Sequence, residues 1–207
     1  MTTDLLLTGF EPFDGAAVNE SWEAVRRATS LLRSAGVAVE VLELPVEFGR
    51  AGNLLTAAVR KHRPSLVVAV GLAAGRTGIT PERVAVNVRD ARIPDNAGAS
   101  PVDEQVVAGG PVGYFSTLPI KAMVAALDGV PGSVSQTAGT YVCNDVFYAL
   151  QHLLARDGGL AGIRGGFVHV PAADALDTAT TGRGLARMIE VALRTEVDAS
   201  RAGGAEH

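Results

Sequence analysis

Cys143 is the only cysteine in the 207-residue chain and lies where a loop leads into an apolar helical pattern. Val146, Phe147, Leu150 and Leu154 follow it at helical spacing, so we expect the cysteine in or just before the first helical turn. Unpaired N–H groups and the helix dipole favour an anion there, which makes a thiol easier to deprotonate and a better nucleophile. The alternative is a small buried side chain without a chemical role.

His169 is the one histidine of four that lies in an apolar strand pattern, two residues before Pro171. The others are His62 beside basic residues at a helix end, His152 in a helical turn and His207 in the tail. Functional groups of α/β sheets gather beyond the carboxyl ends of strands. The alternative is a core histidine bonded to backbone. Together, a cysteine at a helix start and a histidine at a strand end suit a thiol hydrolase.

The group that would orient this histidine is not selected by spacing. Several acidic residues lie in loops that could face the site, and these include Glu11, Glu82, Asp90 and Asp95. A nucleophile and its base are commonly held in place by such a third group. From the residues alone, the choice among these acids stays open.

Two other kinds of stretch could bind small molecules. Phe10 and Phe13, beside the end of the first strand, are either core aromatics or walls of a ligand pocket. The glycine-containing residues 71–78 and 182–184 carry neither a phosphate-loop Lys-Ser/Thr pair nor a dinucleotide fingerprint. Nucleotide binding is therefore not indicated.

The composition excludes several classes of protein. A hydrophobic fraction of 47% with 19% charged residues is typical of a compact globular chain. The net charge of -4 gives no basic surface for nucleic acid or an anionic membrane. The apolar run at 66–74 is too short to span a bilayer, and residues 1–10 lack signal-peptide features, so we expect a cytoplasmic protein. No Cys/His cluster has zinc-ligand spacing, and one cysteine cannot form an internal disulfide.

Strand and helix patterns alternate along the chain. Strands are predicted at residues 4–8, 37–44, 66–70, 83–88, 134–137 and 167–171. Helices are predicted from Asn19 to Gly36, over 49–62, from Pro119, from the cysteine to about 156, and around 185–193. This order indicates one α/β domain over residues 1–207, with a sheet covered on both faces and a frayed tail at 200–207.

With these residues placed, the chain resembles the pyroglutamyl peptidase I family, also called pyrrolidone-carboxylate peptidases, from the first strand through His169. That family removes an N-terminal pyroglutamyl residue. The matching motifs are residues 6–13 (LLTGFEPF), 19–25 (NESWEAV), 79–87 (ITPERVAVN), 91–96 (ARIPDN), 118–121 (LPIK), 137–144 (TAGTYVCN) and 165–171 (GGFVHVP).

The resemblance implies a Cys-His-Glu triad, with Cys143 as nucleophile, His169 as base and then acid, and Glu82 orienting the imidazole. It implies an oxyanion site made by the backbone N–H of Cys143 and the side chain of Arg92. The implied substrate pocket, in which Asn19 hydrogen-bonds the lactam, is formed by Phe10, Phe13, Asn19, Ile93, Tyr141 and Val142. It also implies a three-layer α/β/α sandwich around a mixed, mostly parallel sheet, no metal or other cofactor, and a cytoplasmic homo-oligomer, either a dimer or a tetramer.

Three features depart from the family pattern. Leu72 stands where the family usually has glutamine, which removes a polar side chain near the pocket. Asp14 replaces a usual glycine, and the segment after Pro171 lacks the usual aromatic pattern. None of these removes a triad member.

The sequence therefore predicts a cysteine exopeptidase that removes N-terminal pyroglutamyl residues from peptides through a thioester. Two alternatives stay open. One is a thiol amidase for another small lactam or acylamino group. The other is a catalytically silent binding protein with a structural cysteine.

Overall fold

The computed structural model describes residues 3–204, which form seven strands, five α-helices and a 3₁₀ turn at Gly158–Leu160. The strands are Leu5–Phe10 (β1), Val39–Leu44 (β2), Leu66–Leu72 (β3), Thr80–Pro81 (β4), Val84–Val86 (β5), Gly113–Phe115 (β6) and Arg164–Val170 (β7). The helices are Glu20–Ser34 (α1), Arg50–His62 (α2), Ile120–Ala125 (α3), Val142–Arg156 (α4) and Thr178–Arg194 (α5).

Within residues 3–204, five strands form the central sheet in the order β2-β1-β3-β7-β4. All neighbouring strands are parallel except β4, which runs antiparallel to β7. The remaining two, β5 and β6, form a separate antiparallel ribbon. The chain leaves β1 for β2 on one side and continues to β3 on the other, and α/β sheets bind ligands beyond the strand ends at such a point.

Hydrophobic cores lie on both faces of the sheet. Helices α1, α3 and α5 cover one face, where Val25, Met123 and Leu185 are buried. Helices α2 and α4 cover the other, where Leu55 and Phe147 are buried. The apolar runs of β1, β3 and β7 are buried along almost their whole length, as expected of strands covered on both sides. The α/β/α sandwich around a mixed, mostly parallel sheet is therefore confirmed.

Asp14 adopts a left-handed backbone conformation, with φ of 51°. Glycine reaches this conformation without strain, whereas aspartate is one of the few other residues that tolerate it. The turn therefore has a geometry that glycine would adopt without strain and that Asp14 tolerates. None of the helices in residues 3–204 is both long and apolar enough to cross a membrane.

Two local predictions differ from the structure. The strand predicted at 134–137 is wrong, because Ser135 makes only an isolated bridge to Glu82. Local side-chain bonds compete with strand pairing there, since Ser135 Oγ donates to the Thr137 carbonyl and accepts from the Thr137 N–H. A frayed tail was predicted from residue 200. The Gly203 carbonyl instead accepts hydrogen bonds from the side chains of Arg83 and Gln136, which hold this part of the tail against the protein. Residues 205–207, also predicted to be frayed, lie outside the described residues.

Candidate active site

Cys143 is the second residue of α4, with Tyr141 as the N-cap residue. The predicted position in the first helical turn is confirmed. Its backbone N–H has no acceptor on another residue among 3–204 and interacts with its own sulfur. The first N–H groups of any helix lack partners within the helix. Here one of them lies beside the only thiol of the chain.

The sulfur of Cys143 lies directly over Gly71 of β3. A Cβ atom on Gly71 would lie 2.8 Å from that sulfur and 2.7 Å from the ring of Phe167. Gly71 pairs with His169 across the β3–β7 ladder, so the sulfur and the imidazole are brought to neighbouring positions on the sheet. Only glycine leaves room for the thiol at this point.

His169 makes its polar contact with Glu82, which follows β4. Nδ1 of His169 lies 2.7 Å from Oε1 of Glu82, and the carboxylate is fully buried. Because the Nδ1 proton is directed at the carboxylate, Nε2 is the nitrogen left with a free lone pair. Thr80 pairs with His169 across the antiparallel β4–β7 ladder. Glu82 follows Thr80 by two residues, so this pairing brings its side chain close to the histidine.

The other acidic candidates are engaged elsewhere. Glu11 accepts from the Val46 N–H and the Asn96 side chain. Asp95 accepts from backbone N–H groups at 48, 97 and 99. Asp90 is exposed. Among the four acids, Glu82 is the one that the structure brings to the histidine.

Arg76, for which no role was predicted, completes the charged part of the site. Its Nη1 lies 2.7 Å from Oε1 of Glu82, the same oxygen that faces His169. The residue lies in the loop between β3 and β4. Arg76 lies in the glycine-containing stretch at 71–78, which was tested only as a phosphate loop and does not match that motif. Its position in this stretch is the sequence feature that could have indicated a role.

Burial sets the protonation states of the pair. Burial lowers the pKa of His169 below its ordinary value, partly offset by the hydrogen bond and charge of Glu82. Burial, followed by the Glu82 charge, raises the pKa of the Cys143 thiol to about 12. Burial therefore opposes the easier deprotonation that was expected from the helix start. In the free protein the thiol and imidazole are both neutral.

A cavity of about 170 Å³ opens onto the sulfur. Seven predicted site residues line it, namely Phe10, Phe13, Asn19, Tyr141, Val142, Cys143 and His169. Three further residues line the cavity: Val46 and Ala138, for which no role was predicted, and Leu72, which was identified only as a departure from the family pattern. Val46 follows the carboxyl end of β2, and this position beyond a strand end is the sequence feature that could have indicated a place in the site. Because pockets for drug-sized ligands measure about 300–1,000 Å³, this cavity suits a small acyl group.

Asn19 links the aromatic loop to the start of α1. Its Oδ1 accepts from both the N–H and the hydroxyl of Ser21, which in turn accepts from the N–H of Phe10. Its Nδ2 donates one hydrogen to the Glu11 carbonyl at 2.9 Å. An amide group has two such hydrogens, so Asn19 keeps one donor for a ligand but no spare acceptor.

Three predicted site residues do not line the cavity: Glu82, which lies behind His169, and Arg92 and Ile93. Arg92 is exposed, and Ile93 is half-buried. Their loop is nevertheless fixed beside the cavity, because the Tyr141 hydroxyl donates to the Pro94 carbonyl at 2.9 Å. Asp90 and Thr140 also exchange hydrogen bonds just before the cysteine helix. The roles expected of Arg92 and Ile93 stay predictions.

Comparison with protein families gives one match across the described range. The model of a family described as pyroglutamyl peptidase matches residues 3–204. A pyrrolidone-carboxylate peptidase of Klebsiella pneumoniae is 52% identical, over 98% of this chain and 99% of the relative. One from Streptomyces coelicolor is 49% identical, over 99% of this chain and all of the relative.

Solved structures give the same result. A crystal structure of pyroglutamyl peptidase I from Bacillus amyloliquefaciens superposes with a TM-score of 0.88 at 39% identity. The match covers 95% of this chain and 100% of that one. A pyrrolidone carboxyl peptidase from Thermococcus litoralis has a TM-score of 0.83 at 32% identity, with 93% and 94% covered. This likeness extends over nearly the whole chain.

Proposed function

This chain belongs to the pyroglutamyl peptidase family, and we propose that Cys143, His169 and Glu82 carry its reaction as nucleophile, acid–base catalyst and orienting carboxylate. The enzyme is a cysteine-type omega peptidase that removes N-terminal pyroglutamyl residues from peptides. The observation that supports these roles is one arrangement: a thiol over Gly71, beside an imidazole bonded to a buried glutamate, at a small cavity. Family membership favours this function over the amidase and the silent binding protein.

Acylation begins from the neutral pair. As Sγ of Cys143 attacks the pyroglutamyl carbonyl carbon, Nε2 of His169 takes the thiol proton. The imidazolium that forms is stabilised by Glu82 through Nδ1. His169 then gives the proton to the departing amine, the C–N bond breaks, and a thioester joins the pyroglutamyl group to Cys143.

Deacylation reverses the roles of the same groups. His169 takes a proton from water, and the resulting hydroxyl attacks the thioester carbonyl. The C–S bond then breaks, the thiol of Cys143 regains its proton from His169, and pyroglutamate leaves. The proton that the thiol loses in acylation leaves with the amine, and a proton from water restores the thiol in deacylation, so the two half-reactions balance without a cofactor.

Negative charge develops on the carbonyl oxygen in both half-reactions. The free N–H of Cys143, at the positive end of α4, is a donor for that oxygen. Arg92 would be the second donor, as the family resemblance implies. Its guanidinium has no hydrogen-bond or ion-pair partner within residues 3–204, and its loop is fixed to Thr140 and Tyr141. Arg92 would complete the oxyanion site when its side chain turns toward bound substrate.

The cavity suits the pyroglutamyl ring because the ring is small and uncharged. Phe10 and Phe13 give apolar walls, and the spare Nδ2 hydrogen of Asn19 would bond the ring carbonyl. Leu72 contributes an apolar side chain where the family usually has glutamine. In this chain the ring is therefore bound with fewer side-chain hydrogen bonds.

Location and assembly extend the same proposal. A reducing cytoplasm would keep the Cys143 thiol free, which suits a cytoplasmic enzyme. The exposed apolar side chains of Val112 and Phe115, beside and in β6, are 87% and 72% exposed and would be covered in a homodimer or homotetramer. Light scattering of the purified protein tests this assembly.

Trapping the acyl-enzyme tests the proposed roles. The enzyme is mixed with a pyroglutamyl amide, quenched in acid and digested, and the peptides are weighed by mass spectrometry. A pyroglutamyl group on the peptide that holds Cys143 supports the proposal. Turnover without any adduct on that peptide, even at the earliest quench times, would contradict it.

A further inference from the structure

The guanidinium of Arg76 joins three segments of the site. Nη1 lies 2.7 Å from Oε1 of Glu82 and also bonds Oγ1 of Thr80. Nη2 donates to the carbonyl of Thr137 at 2.9 Å. The side chain is only 26% exposed, so these contacts are made largely away from bulk water. Burial strengthens such charged contacts relative to surface ion pairs.

Arg76 and His169 share one oxygen of Glu82. Both groups contact Oε1, whereas Oε2 is buried and has no hydrogen-bond partner within residues 3–204. A buried carboxylate is costly unless a cation and hydrogen bonds compensate it. Arg76 supplies that cation, and without it the imidazole would be the only side chain bonded to the Glu82 carboxylate within residues 3–204.

Arg76 also fixes the loop that carries the nucleophile. Thr137 directly precedes Ala138, and Ala138, Tyr141 and Cys143 all line the cavity. The bond from Nη2 to the Thr137 carbonyl therefore sets this loop relative to the Glu82 carboxylate. A guanidinium can make both bonds at once because its donors form a rigid planar fork, which an ammonium group does not.

We propose that Arg76 is a positioning residue of this active site: it compensates the buried Glu82 carboxylate and holds it in line with His169, and it ties the Cys143 loop to that carboxylate. The inference rests on the proposed roles of His169 and Glu82. Arg76 acts through them and does not touch the reacting atoms.

A change in pH dependence distinguishes this role from simple structural support. Three charged or titratable groups face His169. They are Arg76 from the loop between β3 and β4, Glu82 from the segment after β4, and Cys143 from α4. The Arg76 charge disfavours the imidazolium. Its removal therefore lets the His169–Glu82 pair take up a proton at higher pH. Because neutral His169 is the competent form, the acid limb of kcat/KM then moves to higher pH.

The test compares Arg76→Gln, Arg76→Lys and wild type on a fluorogenic pyroglutamyl amide between pH 5 and 9. For R76Q we expect kcat to fall by about tenfold to a hundredfold, the range found when a residue that orients a metal ligand is lost. We expect its acid limb to rise by roughly one pH unit. R76K keeps the charge, so its limb should stay in place while kcat falls by less.

Arg83→Gln is the matched control. Arg83 donates to Gln136 and Gly203, so it anchors the same stretch of chain without touching Glu82. We expect wild-type kcat and pH dependence in this variant. An R76Q acid limb at the wild-type pH would overturn the proposal. If R76Q does not fold, R76K carries the test, and wild-type kcat in R76K would overturn it.

Chemical rescue adds an independent readout. Arg76 borders an open groove of about 640 Å³, so a small cation can reach the space that Arg76→Ala vacates. Millimolar guanidinium chloride should restore part of kcat in R76A and leave the kcat of R83A unchanged, and sodium chloride should change neither. Absence of rescue together with an unshifted acid limb would overturn the role of Arg76. Failure of the proposed function would instead appear as activity that survives in Cys143→Ala.

Discussion

Nδ1 of His169 lies 2.7 Å from Oε1 of Glu82, across a separation of 87 residues in sequence. Both side chains are buried, the glutamate completely. A histidine held in this way has a fixed tautomer and ring orientation, with Nε2 turned toward its reaction partner. The carboxylate also stabilises the imidazolium that forms when the thiol loses its proton.

Glu82→Gln should lower kcat by about a hundredfold or more while KM changes little. Glutamine keeps the volume of glutamate but loses the charge and can present the wrong hydrogen-bonding group to Nδ1. His169→Ala should lower kcat further, because it removes the base itself. Steady-state kinetics on a fluorogenic pyroglutamyl amide measures both effects.

The double variant tests whether the two residues act as one unit. If they do, the loss in Glu82→Gln/His169→Ala is close to the loss in His169→Ala alone. Fully additive losses would show that Glu82 acts independently of the imidazole. Circular dichroism of all three variants checks that the fold is retained.

The pH dependence should show one acid limb, at a pH below 6.5. The pKa of His169 is lowered from 6.5 by burial, so its neutral form is present above that lowered value and is lost as pH falls through it. The Cys143 pKa is raised to about 12, so the thiol stays protonated at neutral pH. Iodoacetamide should therefore alkylate Cys143 ever faster from pH 7 to 9.5. A plateau below pH 7 would indicate a preformed thiolate and contradict the neutral pair.

Gly71→Ala should abolish activity and destabilise the fold by about 1–3 kcal/mol, a typical cost of overpacking. The added Cβ would lie 2.8 Å from the sulfur of Cys143, so it must displace the thiol from its place beside His169. Gly75→Ala is the matched control, since a Cβ there has no atom within 4 Å. Near-normal turnover in G71A would show that the sulfur does not have to lie over Gly71.

Substrate choice should depend on the lactam. A prolyl amide lacks the ring carbonyl and brings a charged amine, and burying that ammonium unpaired costs several kcal/mol. We expect kcat/KM for the prolyl amide to be lower than for the pyroglutamyl amide by roughly 10⁴-fold, and the glutamyl amide to react more slowly still. Phe13→Ala should narrow this preference, because it removes one apolar wall.

Asn19→Ser separates ring recognition from helix capping. Asn19 is the N-cap of α1, and serine also serves as an N-cap, so stability should be largely kept. Serine is too short to bond the ring carbonyl, so preference for the pyroglutamyl over the prolyl amide should fall. Prolyl turnover within about tenfold of pyroglutamyl in the wild type would defeat the assignment of the pocket.

Much of the site's framework follows from local sequence patterns. Helical periodicity after Cys143 and the apolar strand that contains His169 predict elements that the structure confirms. The partner of His169 could not be derived from the residues, because its place depends on a two-residue strand that pairs across the sequence. The raised pKa of Cys143 could not be foreseen from the helix start, since burial is a property of the packed cavity. The contacts of Arg76 likewise depend on three loops meeting in space.

The most direct measurement of the central claim is turnover of a fluorogenic pyroglutamyl amide by Cys143→Ala and Cys143→Ser. Alanine removes the nucleophile but little volume, so the fold should remain, and thermal unfolding of each variant verifies this. We predict no turnover above the uncatalysed rate in C143A and at most a trace in C143S. Activity within about tenfold of wild type in folded C143A would contradict the account.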